Sequence, residues 1–119
     1  MTRRSVTLTW PGGEHEFLLA IGDMRAVQND CDAGPMQIIT ALADGRWRVE
    51  MLMSVLRNGL IGAGMDRAEA KILVSRMFDE QPYGKFVDPA MFVLAAAVVG
   101  VQDDPVGEPV GAMTTPPES

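Results

Sequence analysis

Leu56-Arg57-Asn58-Gly59-Leu60-Ile61-Gly62-Ala63-Gly64 decides the fold of this chain, because it ends one amphipathic helix in a glycine-rich turn and leads into the capping signal of the next. Upstream, Val49, Leu52, Met53, Leu56 and Leu60 follow the i, i+3, i+4 spacing of one helix face, which predicts a helix over about 49–60. Trp47 stands where it can staple the start of that helix. Downstream, Asp66 with Glu69 three residues later resembles a capping box, and Ala70, Leu73, Val74, Met77 and Phe78 give the following helix its apolar stripe. Gly59, Leu60, Gly62 and Gly64 are therefore read as a structural corner between two helices, closed by glycines that take positive φ. The spacing also invites a phosphate-cradle reading. Phosphate loops follow a strand, however, and here a helix precedes the glycines.

Working outward toward the N-terminus, Val6, Leu8 and Trp10 alternate with Ser5, Thr7 and Thr9, and His15, Phe17 and Leu19 repeat that period of two after Pro11-Gly12-Gly13. That is a hairpin pattern, and two strands alone are marginal in water, so helices must cover the apolar face. Met24, Val27 and Cys31 line a short first helix stopped by Gly34-Pro35. Ile38, Ile39 and Leu42 line a second, which Pro35 opens and Asp44-Gly45 ends. Beyond the corner, Gln81-Pro82-Tyr83-Gly84 breaks the fourth helix and Asp88-Pro89 reads as the cap and first turn of a fifth. Its segment Met91 to Val99 is apolar on nearly every side, which places it at the bundle centre or against another chain. The predicted fold is α+β, mainly α: an N-terminal β-hairpin followed by a compact bundle of about five helices. Residues 1–101 form one domain, and 102–119 form a disordered acidic, proline-rich tail.

Composition narrows the function. Residues 1–100 carry 10 basic and 12 acidic side chains, a net of -2, and the remaining four acids lie in 101–119. With no basic cluster, the chain is a poor match for a nucleic-acid backbone. One cysteine, Cys31, excludes an intramolecular disulfide and suits a reducing cytosol. The most apolar run, Ala90 to Val101, is twelve residues long, too short to span a bilayer as a helix.

Chemistry finds little purchase. His15 lies in Glu14-His15-Glu16, but Leu19 occupies the place of a second zinc-binding histidine. Cys31 stands between Asp30 and Asp32, whose charges oppose the thiolate that a nucleophile requires. The acidic pairs Asp79-Glu80 and Asp103-Asp104 are sequence neighbours that do not face one another. The reading is of a non-enzymatic protein with no catalytic, metal or cofactor residue. Nine methionines point instead to adaptable apolar contact. Met51 and Met65 lie off the main stripes, and with Val55 they are the expected partner-binding residues.

The segment Trp47 to Gly64, followed by Asp66-Arg67-Ala68-Glu69-Ala70, resembles the central region of the gene transfer agent family proteins, which are grouped with phage tail assembly chaperones. The family's order is a hairpin, a short helix with an acidic or amide group, a helix closing with Gly-Leu and a glycine-rich turn, then an Ala-rich helix. Val27-Gln28-Asn29-Asp30 stands second here and Gly59-Leu60 with Gly62 and Gly64 stands third. Ala63 replaces an expected glycine, and the acidic tail is longer than in the simplest members. The resemblance implies a cytoplasmic chaperone that binds the tape measure protein during tail assembly. The major tail protein is a further candidate partner, and a homo-oligomer is allowed. The alternative is a minor structural tail or head-tail joining component retained in the particle, for which the apolar fifth helix would be a subunit contact.

Overall fold

The computed structural model describes residues 2–102. It contains the expected antiparallel hairpin followed by five α-helices, a mainly α arrangement of the α+β class. A first short strand β1 (Thr2–Arg3) leads into β2 (Ser5–Trp10), which pairs with β3 (Gly13–Leu18) in the register Val6 with Phe17, Leu8 with His15 and Trp10 with Gly13. The five helices are α1 (Ile21–Cys31), α2 (Pro35–Asp44), α3 (Val49–Gly62), α4 (Arg67–Glu80) and α5 (Val87–Val98). A 3-10 turn, Tyr83–Phe86, precedes α5, and β4 (Val101–Gln102) returns to pair with β1. That last pairing ties the two ends of the described chain together, and two residues per strand leave no period for a sequence pattern to display. It also places Gln102, assigned to the tail, in a strand; the rest of that tail assignment, 103–119, lies outside the described residues.

The central element is α3, which rules out the first of the two placements expected for α5, the bundle centre, and leaves the second, an outward contact. Helix α3 packs against α1, α4, α5 and β3 and buries Met51, Leu52, Ser54, Val55, Leu56, Asn58, Gly59 and Leu60, leaving only the narrow side with Glu50, Met53, Arg57 and Ile61 exposed or partly buried. Two polar residues, Ser54 and Asn58, lie on its buried side. They are only 1% and 3% exposed. Helix α5, though more apolar, leaves Phe92, Val98 and Val99 in solvent.

Helix boundaries differ in instructive ways. Helix α1 stops at Cys31, before Gly34-Pro35, because Asp32 turns left-handed at φ 51° and its N–H bonds back to the Gln28 carbonyl. A short polar side chain tolerates that conformation better than most. Gly34 instead begins α2, its N–H donating to Gln37 Oε1 at 2.7 Å. Helix α5 starts one residue before the expected Asp88 cap, since the 3-10 turn already winds the chain and Pro89 falls in the first turn, where a missing N–H costs no helical bond. At the head of α4, Asp66 accepts from the N–H groups of Ala68 and Glu69 at 3.1 and 3.2 Å.

The core is aromatic at the hairpin end. Phe86 stacks on Phe78 with centroids 3.9 Å apart, and Trp10 meets Phe17 and Phe86 edge-on. Trp10 Nε1–H donates to His15 Nδ1 at 2.9 Å, so His15 satisfies the one polar atom of a tryptophan that is 5% exposed. This gives His15 a structural duty, in a cross-strand arrangement that the sequence pattern could suggest only as a shared face.

Candidate functional site

The expected partner-binding residues separate once the chain folds. Met51 and Val55 are buried at 7% and 0% exposure, so they form core and present nothing to a partner of this folded form. Helix α1 packs on α3, with Ser54 bonded to Asp30 between them. Met65 is half-buried and remains accessible, bordering shallow depressions with His15, Glu69 and the exposed Ile72.

At the corner the four predicted residues do different jobs. Leu60 is a core anchor. Gly64 takes φ 116°, and Met65 N–H bonds back to the Leu60 carbonyl at 3.0 Å, closing the helix as a left-handed residue after the last turn commonly does. Gly59 and Gly62 are inside the helix and act by close approach. A Cβ on Gly59 would meet Phe17 and Val93 at 3.0 to 3.2 Å, and one on Gly62 would fall on the Leu18 carbonyl oxygen. The corner thus seats α3 directly against the end of the hairpin.

A polar cluster ties α1 to α3. Ser54 Oγ–H donates to Asp30 Oδ2 at 2.7 Å, Arg57 reaches the same oxygen at 2.9 Å, and Asn58 Nδ2 donates to the Ser54 carbonyl and hydroxyl. Arg48 donates to the Cys31 carbonyl at 2.8 Å. These bonds make the set a latch between helices. The Cys31 thiol is pushed above its ordinary pKa, chiefly by burial and then by the Asp30 charge, against a smaller opposing effect of Arg48. Burial dominates the flanking-carboxylate effect expected from sequence.

One accessible apolar feature was not anticipated as a site. Two adjoining depressions, about 390 and 440 Å³, share Leu8 and Phe92 and form one groove between β2 and α5. Trp10, Pro11 and Pro89 line one end; Val6, Val99 and Val101 line the other. Phe92 is 54% exposed and Val99 78%. The all-round apolarity of α5 was the available signal, and its solvent-facing part could be assigned only after α3 had claimed the centre. No helix among the described residues is long and apolar enough to cross a membrane.

A hairpin locked on a helical bundle, with apolar side chains left at the surface, defines the class: a small, mainly α protein of the α+β type. The chain belongs to the phage tail tube protein, GTA-gp10 family, whose model matches residues 3–100. No curated protein and no solved structure matches it.

Proposed function

We propose that this protein is a structural component of a phage-like or gene transfer agent tail, retained in the particle and joined to other tail proteins through its exposed apolar surface. The family match over residues 3–100, under a description naming a tail tube protein, carries the reading. The groove with Phe92 and Val99 supports it, because exposed large apolar side chains clustered on one face mark interaction surfaces more often than chance exposure does. The expected test outcome is a stoichiometric amount of the protein in purified particles by quantitative mass spectrometry. Depletion from particles while the protein is abundant in the producing cell would defeat the structural reading.

A second reading has its own support. Met65 and Ile72 lie together near His15, and Met36 is exposed separately on α2, so apolar side chains, two of them adaptable methionines, are also accessible outside the groove. A transient chaperone in the bacterial host cytoplasm, covering apolar helical stripes of the tape measure protein before the tail forms around it, would use such a face. Co-expression with the tape measure protein should then give a soluble complex that finished particles lack; failure of any complex to form removes this reading.

A further inference from the structure

One long edge of the hairpin lacks the devices that keep strand edges single. Strand β2 pairs with β3 alone, and among the described residues its backbone makes no backbone hydrogen bond outside the hairpin. Alternate residues of β2 therefore turn an N–H and a C=O away from β3 with no strand to receive them. Soluble proteins blunt such an edge with charge, proline, a bulge or a covering element, because an open edge templates the pairing of another strand. Strand β3 shows that protection: it carries Glu14 and Glu16, and α3 seats against its end through Gly59 and Gly62. Ser5-Val6-Thr7-Leu8-Thr9-Trp10 has no charge, proline or glycine over its 6 residues, and its register with β3 is unbroken by a bulge.

The groove runs along this strand. Helix α5 lies antiparallel to β2, with Asp88 at the Thr9–Pro11 end and Val99 at the Val6 end, and it leaves Phe92 and Val99 54% and 78% exposed. A strand added to the edge gains backbone bonds and covers these apolar side chains in one step. Charge selects which strand. Arg3 and Arg4 stand exposed where the chain enters β2, whereas at its far end the exposed Asp88 and Glu14 outnumber Lys85. Antiparallel pairing with a second β2 carries the arginines of each copy to the acidic end of the other, twice by symmetry. Parallel pairing would set arginine beside arginine, which opposes it. Two-fold antiparallel pairing also keeps Val6 and Leu8 of both copies on the sheet face where α5 lies, so both Phe92 rings are covered on one side.

We propose that this protein forms a two-fold dimer in which β2 of one copy pairs antiparallel with β2 of the other. The two hairpins then continue into one four-stranded sheet with both α5 helices on the same face. The dimer rests on the reading of the groove as a contact surface, and it is measured on the protein alone, so its failure would leave the tail assignment standing.

Sedimentation velocity of the full chain over a concentration series should show a reversible monomer–dimer equilibrium. Phe92→Asp should raise the dissociation constant at least tenfold, while its unfolding, compared where both proteins are monomeric, stays close to that of the parent. Hydrogen exchange at residue resolution reports on the strand itself. The β2 amides that face away from β3 should exchange fast in dilute protein and slow at least tenfold as the dimer fills. A monomer throughout the series overturns the proposal. So does a dimer in which those amides stay unprotected, or one that Phe92→Asp leaves intact, because the copies would then meet through another face.

Discussion

At Gly62 the absence of a side chain is a packing requirement, since a Cβ there would occupy the space of the Leu18 carbonyl oxygen. Backbone cannot yield as a flexible side chain does. Gly62→Ala is expected to destabilise by about 1–3 kcal/mol, outweighing the roughly 1 kcal/mol that alanine gains over glycine in a helix. Gly22, in the first turn of α1 with nothing near its missing Cβ, is the control: Gly22→Ala should be neutral or stabilise by roughly 0.5 kcal/mol. Urea unfolding of the two variants measures both, and equal effects would contradict the close-approach account. The Cys31 thiol gives a second prediction at this scale. Its folded pKa is raised, so the unfolded chain loses the proton first. The stabilisation is complete below the unfolded thiol's pKa and is lost as pH climbs through that value toward the folded one, with a slope no steeper than about 1.4 kcal/mol per pH unit. Unfolding curves between pH 7 and 10 should show this fall, and Cys31→Ala should remove it. Slow alkylation in the native protein and fast alkylation in urea would report the same burial.

Between elements, the polar latch joining α1 and α3 holds the central helix in register. Asp30→Ala removes the acceptor for the Ser54 hydroxyl, which is almost fully buried, and should cost about 1–2 kcal/mol. Little of that comes from the Arg57 ion pair, whose carboxylate is 40% exposed and largely screened. Asp44→Ala breaks the more exposed Arg46 pair and should fall within about 0.5 kcal/mol of the parent, so thermal unfolding of the two variants separates hydrogen-bond loss from charge loss. The same latch explains what sequence could and could not reveal. Helix positions were legible because Val74, Met77 and Phe78, or Ile38 and Leu42, repeat at helical spacing and are buried. The hairpin was legible from its alternation around Pro11-Gly12. Which helix is central was illegible, because the carboxylate that satisfies the buried Ser54 sits on α1, 24 residues away. Met51 and Val55, expected to meet a partner because Met51 lies off the main stripe, are buried as well. The β2–α5 groove escaped notice because it joins residues from opposite ends of the chain, such as Leu8 and Phe92, each unremarkable alone.

For the whole molecule, the decisive contrast is between apolar residues that hold the fold and those that the fold leaves over. Val93, Leu94 and Ala90 on α5 are buried at 1% or less, whereas Phe92 on the same helix is half in solvent. A core residue turned to aspartate would unfold the protein and say nothing about docking. Phe92→Asp adds a charge where water already reaches, so its effect on unfolding should stay within about 0.5 kcal/mol. If the groove joins the protein to other tail components, the same change should nonetheless sharply reduce its recovery in purified particles, because a docked carboxylate would have to leave water without a partner. Ile72→Asp, at an equally exposed apolar position on α4, separates the faces. Normal incorporation of Phe92→Asp with loss for Ile72→Asp would shift the contact to the Met65 face. Loss for both, with unfolding unchanged in each, would mean that the protein is gripped on two sides, as a subunit seated between neighbours in an assembly must be.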